Sequence, residues 1–168
     1  MPHLESMNES TSLRVERPDS PQVKLPPPLV YAVPLIGGIL LSRWWPLADW
    51  SDRTTQWAGA VLILLGLSFG LWARMIFLAR KTSVVPTRPA SVLVADGPFR
   101  LSRHPMYVGF AAIYVGLALV FHSLWSLLFL PMVLVVVHKA AIEREEAYLE
   151  RRFGREYQEY RERVRSWL

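Results

Sequence analysis

The chain has 168 residues, 52% of them hydrophobic, with seven tryptophans and a formal net charge of +5. That length holds one domain at most, with a tail, and the bunching of apolar residues into long runs points to a membrane protein rather than a large soluble core. The basic residues flank those runs instead of forming a separate basic face, so topology accounts for them and nucleic acid is not implied.

The absence of cysteine excludes disulfides, cysteine-ligated metal and a cysteine nucleophile. Residues 1–28 are polar and proline-rich and read as a disordered cytoplasmic tail, without the apolar stretch of a signal peptide. Residues 29–168 then form the membrane domain. Its first apolar span, 29–47, contains Pro34 and the Gly37-Gly38 pair and ends at Trp44, Trp45 and Trp50, an interfacial aromatic belt. A short polar loop, 48–56, leads to the second span, 57–79. There Gly66 and Gly70 offer a small-residue face for close helix packing. Arg74, inside the inner end, is expected to snorkel to the interface.

Residues 80–103 form a basic connector with a β-prone run at Ser91–Val94. Two more apolar spans follow, 105–121 and 124–142, joined by almost nothing. Gly109 and Gly116 mark a small face on the third. The connector carries five Lys/Arg and the segment from Lys139 eight, while the His122-Ser123 hairpin carries none. The expected architecture is therefore an all-α integral membrane protein. It has four transmembrane helices, both ends cytoplasmic, and an amphipathic C-terminal segment at the interface.

Chemistry concentrates in two places. Asp96–Gly109 reads as a tight turn, a basic cluster and a helix start, with Gly97 and Pro98 suited to the turn and Pro105 to the first helical position. Arg100, Arg103, His104 and Tyr107 there suit an anionic group, or equally serve as interfacial anchors. The second place is Glu143–Glu146. An apolar stripe at Ile142, Leu149, Phe153, Tyr157, Tyr160, Val164 and Trp167 continues from it, and Glu145 and Glu146 interrupt that stripe. A carboxylate on a buried face has a partner or a task. Because the third and fourth helices form a tight hairpin, the two places are expected side by side at one depth. Gly154 is expected to break the amphipathic segment into two helices.

The run GPFRLSRHPMYVG, a hydrophobic hairpin, and then EREEAYLERRFGREYQEYRERVRSW resembles the isoprenylcysteine carboxyl methyltransferase and phospholipid methyltransferase superfamily. The likeness covers about 82–167. The resemblance implies an integral-membrane enzyme that binds S-adenosylmethionine at the cytoplasmic side, without a dinucleotide-type glycine loop, and methylates a lipid-like acceptor. It implies a cofactor pocket lined by Gly97, Arg103, His104, Pro105, Tyr107, Glu145 and Glu146, closed by Tyr157 and Tyr160, with Glu145 and Arg103 nearest the chemistry. The bilayer and a hydrophobic acceptor are the expected partners, in a prokaryotic inner membrane. No metal is expected. Two other readings compete: a membrane haem protein using His104, His122 or His138, and a non-catalytic membrane scaffold.

Overall fold

A computed structural model describes residues 26–47, 52–80 and 91–168. The expected tail up to residue 25, Trp50, and the connector residues 81–90 lie outside the described residues. Every regular element among the described residues is helical.

Helix α1 (Pro27–Trp44) starts with two prolines, whose fixed φ and missing N–H cost nothing in a first turn. It buries Tyr31, Leu35 and Gly38, one narrow face, and carries Pro34 internally. Helix α2 (Arg53–Ala79) begins four residues before the expected span, because Asp52 caps it: the Thr55 N–H donates to the Asp52 carboxylate at 2.6 Å. The residues expected to end the polar loop are thus the first helical turn. Helix α3 (Pro105–Val120) again opens on a proline, and helix α4 (Leu124–Val137) is capped by the Ser123 hydroxyl. Between them His122 takes a left-handed φ of 50°, which closes the hairpin in three residues.

A π-helical turn, His138–Ile142, follows α4, with the Glu143 N–H bonded five residues back to the His138 carbonyl. Helix α5 (Glu143–Phe153) continues it without a break, giving a 30-residue rod from Leu124 to Phe153. Gly154, at φ 53°, then breaks the chain as expected and starts helix α6 (Arg155–Arg163). Arg53–Ala79 and the Leu124–Phe153 rod are each long and apolar enough to cross a membrane, and Pro105–Val120 is a shorter apolar helix. Leu64, Leu67, Leu71, Met75 and Leu78 along α2 are exposed, a surface suited to lipid.

Packing pairs α3 chiefly with α2, and α4 chiefly with α1. Glycines set the first pair. A Cβ on Gly59 would stand 2.6 Å from the Gly116 carbonyl, and one on Gly66 would stand 2.6 Å from that of Gly109. The seam therefore joins glycines seven apart on both helices, whereas a Cβ on Gly70 meets nothing within 4 Å. A Cβ on Gly109 would stand 2.8 Å from the Gly66 carbonyl and 3.3 Å from the Gly70 nitrogen, so the Gly66-Gly70 face expected from the sequence also receives α3 closely. Hydroxyls tie α1 to the hairpin. Ser126 Oγ donates to the Leu35 carbonyl at 3.0 Å, and Ser42 and Ser123 share a bond of 2.9 Å.

At the end of the bundle that carries the connector a second apolar cluster gathers Ala73 of α2, Val94 and Phe99 of the connector, and Tyr157 and Tyr160 of α6. The β-prone run Ser91–Val94 forms no strand; it turns irregularly so that Val94 can enter this cluster. The amphipathic segment is thus docked on the connector by its tyrosines.

Candidate functional site

The local fold of the connector aims its polar groups at one place. Gly97 has φ 56°, and a Cβ there would also press on the Trp72 indole at 3.3 Å, so the turn admits glycine on two counts. A short 3-10 helix, Gly97–Arg100, follows and buries Phe99, whose carbonyl accepts from the Tyr160 hydroxyl at 2.7 Å. Ser102 is fully buried. Its hydroxyl accepts from the His104 N–H and donates to the Ser166 carbonyl, both at 3.1 Å. Pro105 then starts α3 and leaves His104 at its mouth, the side chain only 5% exposed.

The π-helical turn delivers the other half. One extra residue in a turn rotates everything downstream relative to a plain α-helix, and two of the three carboxylates in the first α5 turn, Glu145 and Glu146, lie against the His104 ring. His104 Nε2 is 3.1 Å from Glu146 Oε1, and Nδ1 is 3.5 Å from Glu145 Oε2. Tyr107, one turn further along α3, donates to Glu145 Oε1 at 2.5 Å. Arg103 Nη2 donates to Glu146 Oε1 at 2.8 Å and Nη1 to the Arg161 carbonyl at 3.1 Å. Ser166 also donates to Glu146 Oε1, at 3.0 Å.

These contacts fix the charge states. Burial pushes the Glu146 carboxyl up, but the hydrogen bond from His104 and the charge of Arg103 outweigh it and hold the group near 2. Burial likewise pushes His104 down; hydrogen bonds to Glu145 and Glu146 reverse that and raise it above its ordinary 6.5. The Tyr157 hydroxyl is raised, first by burial and then by the charge of Glu146. Two donors remain unspent: Arg103 Nε and the Tyr157 hydroxyl are buried and have no partner. Both belong to residues within electrostatic reach of Glu146. An orphaned buried donor is costly, so two in one place point to a ligand that accepts hydrogen bonds.

The structure therefore brings Arg103, His104, Tyr107, Glu145 and Glu146 into one hydrogen-bonded cluster, with Tyr157 facing its charges. Gly97 stands against Trp72, and Pro105 sets the helix start. Tyr160 is committed to the Phe99 carbonyl, a structural bond. Both nitrogens of His104 face carboxylates, and His138 has its Nε2 3.9 Å from Glu143, so these two imidazoles are not turned to one another as a pair of haem ligands. Sequence reasoning missed Ser102, Ser166 and the carbonyls of Arg161 and Arg165. No periodicity marks a short hydroxyl or a backbone acceptor. Ser166 sits just before Trp167 in the apolar stripe, the one available hint.

The family model for phospholipid methyltransferase matches residues 54–156. Over 77 residues the chain is 39% identical to a protein-S-isoprenylcysteine O-methyltransferase of Schizosaccharomyces pombe, covering 46% of this chain and 33% of that one. Over 76 residues it is 38% identical to a probable protein-S-isoprenylcysteine O-methyltransferase of Oryza sativa subsp. japonica, covering 45% and 40%. It is also 27% identical over 121 residues to the nickel-cobalt-cadmium resistance protein NccN of Alcaligenes xylosoxydans xylosoxydans, covering 72% and 54%. The chain thus spans well under half the length of the isoprenylcysteine relatives it matches. No solved structure matches it. The matched region contains α3, the hairpin, α4, α5 and every charged member of the cluster, and the chain belongs to the phospholipid methyltransferase family.

Proposed function

We propose that this chain is an integral-membrane methyltransferase that uses S-adenosylmethionine and acts on a lipid-like acceptor at the cytoplasmic interface. α1 to α4 are its four spans, and the connector and α5–α6 lie on the cytoplasmic side, where the basic residues concentrate. The observation that carries the reading is the pair of unspent donors, Arg103 Nε and the Tyr157 hydroxyl, beside a partly buried carboxylate pair.

The residues present fit the cofactor. Its amino-acid carboxylate would be held by Arg103 and Tyr157, which offer unspent donors, while His104 holds Glu145 and Glu146 beside it. Glu145 and Glu146 would offset its ammonium and sulfonium charges. Tyr107 holds Glu145 in place by the 2.5 Å bond, and Tyr160 anchors α6 so that Tyr157 stays over the cluster. Gly97 and Pro105 shape the wall. When bound, S-adenosylmethionine supplies an electrophilic methyl group on a cationic sulfur. The protein's own contribution is alignment and exclusion of water, which in-line transfer needs more than a strong protein nucleophile. Glu145 and Arg103 are the residues assigned to the reacting region. The named activity of the fission-yeast and rice relatives favours a prenyl-type carboxylate as acceptor, with other O-, S- or N-acceptors on apolar molecules as alternatives.

The test is transfer of a labelled methyl group from S-adenosylmethionine to a panel of prenylated carboxylates, thiols and amines in lipid vesicles. Product is expected with at least one, and Glu145→Gln or Arg103→Ala should slow it about a hundredfold, the usual cost of losing a preorganised charge partner. Wild-type turnover that neither substitution alters refutes the assignment.

A further inference from the structure

Residues 164–168 follow α6 as a non-helical strap bonded to the turn before α3. The Arg103 N–H donates to the Arg165 carbonyl at 2.9 Å and Ser102 Oγ to the Ser166 carbonyl at 3.1 Å. Trp167 packs on the cluster formed by α1, α3 and α4. Backbone bonds before Ser166 and an apolar anchor after it leave this residue little freedom. Its hydroxyl donates to Glu146 Oε1 at 3.0 Å, the same oxygen that takes Arg103 and His104. Both cations come from the turn before α3, on one side of the carboxylate. Ser166 reaches it from a separate segment, and three donors from two segments leave the oxygen one position.

We propose that Ser166 is a positioning residue: held by the 164–168 strap, it fixes the Glu146 carboxylate against Arg103 and His104 and so sets the shape of the site. This rests on the reading of the cluster as a methyl-donor site. The charged and titratable groups facing Glu146 are Arg103 and His104 from the connector and Tyr157 from α6, with Glu145 across the imidazole. Ser166 is the neutral member of the set, so its loss changes geometry and hydrogen bonding without changing net charge. A residue that merely filled space there would be replaced without effect by valine, which lacks the hydroxyl but has the branched shape of threonine.

The experiment uses the full chain in detergent micelles with 13C-labelled glutamate, the Glu146 signal identified by its loss in Glu146→Gln. Losing a donor raises a carboxylate's titration midpoint. Ser166→Ala and Ser166→Val should therefore move the Glu146 midpoint up by about half a unit or more, and Ser166→Thr should leave it at the wild-type position. The first two should also weaken S-adenosylmethionine binding about three- to tenfold, and threonine should restore it. An unmoved midpoint in both alanine and valine variants overturns the proposal, as does a threonine variant that behaves like valine. A midpoint that moves as expected in a protein that ignores S-adenosylmethionine supports the role of Ser166 and overturns the donor-site reading instead.

Discussion

His104 and Glu146 meet at 3.1 Å although 42 residues separate them, and the imidazole that joins them is 5% exposed. The pair exists because a three-residue hairpin returns the chain to its starting depth and a π-helical turn then rotates the α5 carboxylates onto α3. The protonation states of both partners follow from it.

Stability should depend on pH in both directions. Glu146 has its folded pKa lowered from 4.5 to about 2, so its contribution is complete above about 4.5 and is lost as pH falls through about 2. His104 is raised above 6.5, so its contribution is complete below 6.5 and is lost as pH rises through its folded value. Thermal unfolding in detergent should therefore peak between about pH 4.5 and 6.5. Glu146→Gln should flatten the acid limb and His104→Gln the alkaline one. A flat profile for wild type contradicts both assignments.

Arg103 is 9% exposed at its side chain and forks between Glu146 and the Arg161 carbonyl. The pair is partly buried and Glu146 keeps His104 and Ser166, so losing the charged hydrogen bond costs about 1.5–3 kcal/mol. Arg103→Ala should lose about that much, and the double variant with Glu146→Gln should recover part of it. Additive losses in the double-mutant cycle are the contrary result.

The two tyrosines of α6 should behave oppositely. Tyr160→Phe leaves the buried Phe99 carbonyl without its donor and should cost about 1–3 kcal/mol of stability. Tyr157→Phe removes a hydroxyl that has no protein partner, so stability should hold or rise while S-adenosylmethionine binding weakens. Denaturant unfolding and a binding titration on the same samples separate the two. Equal stability losses would remove the case for an unspent Tyr157 donor.

Valine at Gly66 or Gly59 must displace a backbone carbonyl 2.6 Å from its Cβ and should destabilise by about 1–3 kcal/mol. Alanine at Gly70 or Gly37, where a Cβ meets nothing within 4 Å, should leave the melting temperature unchanged. A comparison of the four by differential scanning fluorimetry checks the seam.

Much of this was legible in the sequence because long apolar runs, Gly154 and the tyrosine stripe each impose one local outcome. That Arg103-His104 and Glu145-Glu146 lie at one depth followed from hairpin length, while the rotation that turns them together did not. What the sequence hid was pairing rather than type. It displayed Gly59, Gly66, Gly109 and Gly116 but not that they meet across helices at seven-residue steps. Residues His138–Ile142 look like any helix, since a π-helical turn has no compositional mark. Tyr148, 5% exposed, is buried although it falls one position off the stripe at Leu149. Ser166 was invisible for a different reason: a strap residue is positioned by neighbours distant in sequence.

The central claim, a cofactor site built on the His104 and Glu145–Glu146 contact, is tested most directly by calorimetric titration of the detergent-purified protein with S-adenosylmethionine. The account predicts saturable binding that His104→Ala and Glu145→Ala each weaken at least about tenfold, which is about 1.4 kcal/mol. A wild-type protein that takes up no S-adenosylmethionine at about millimolar concentration, or binding indifferent to both substitutions, would contradict it.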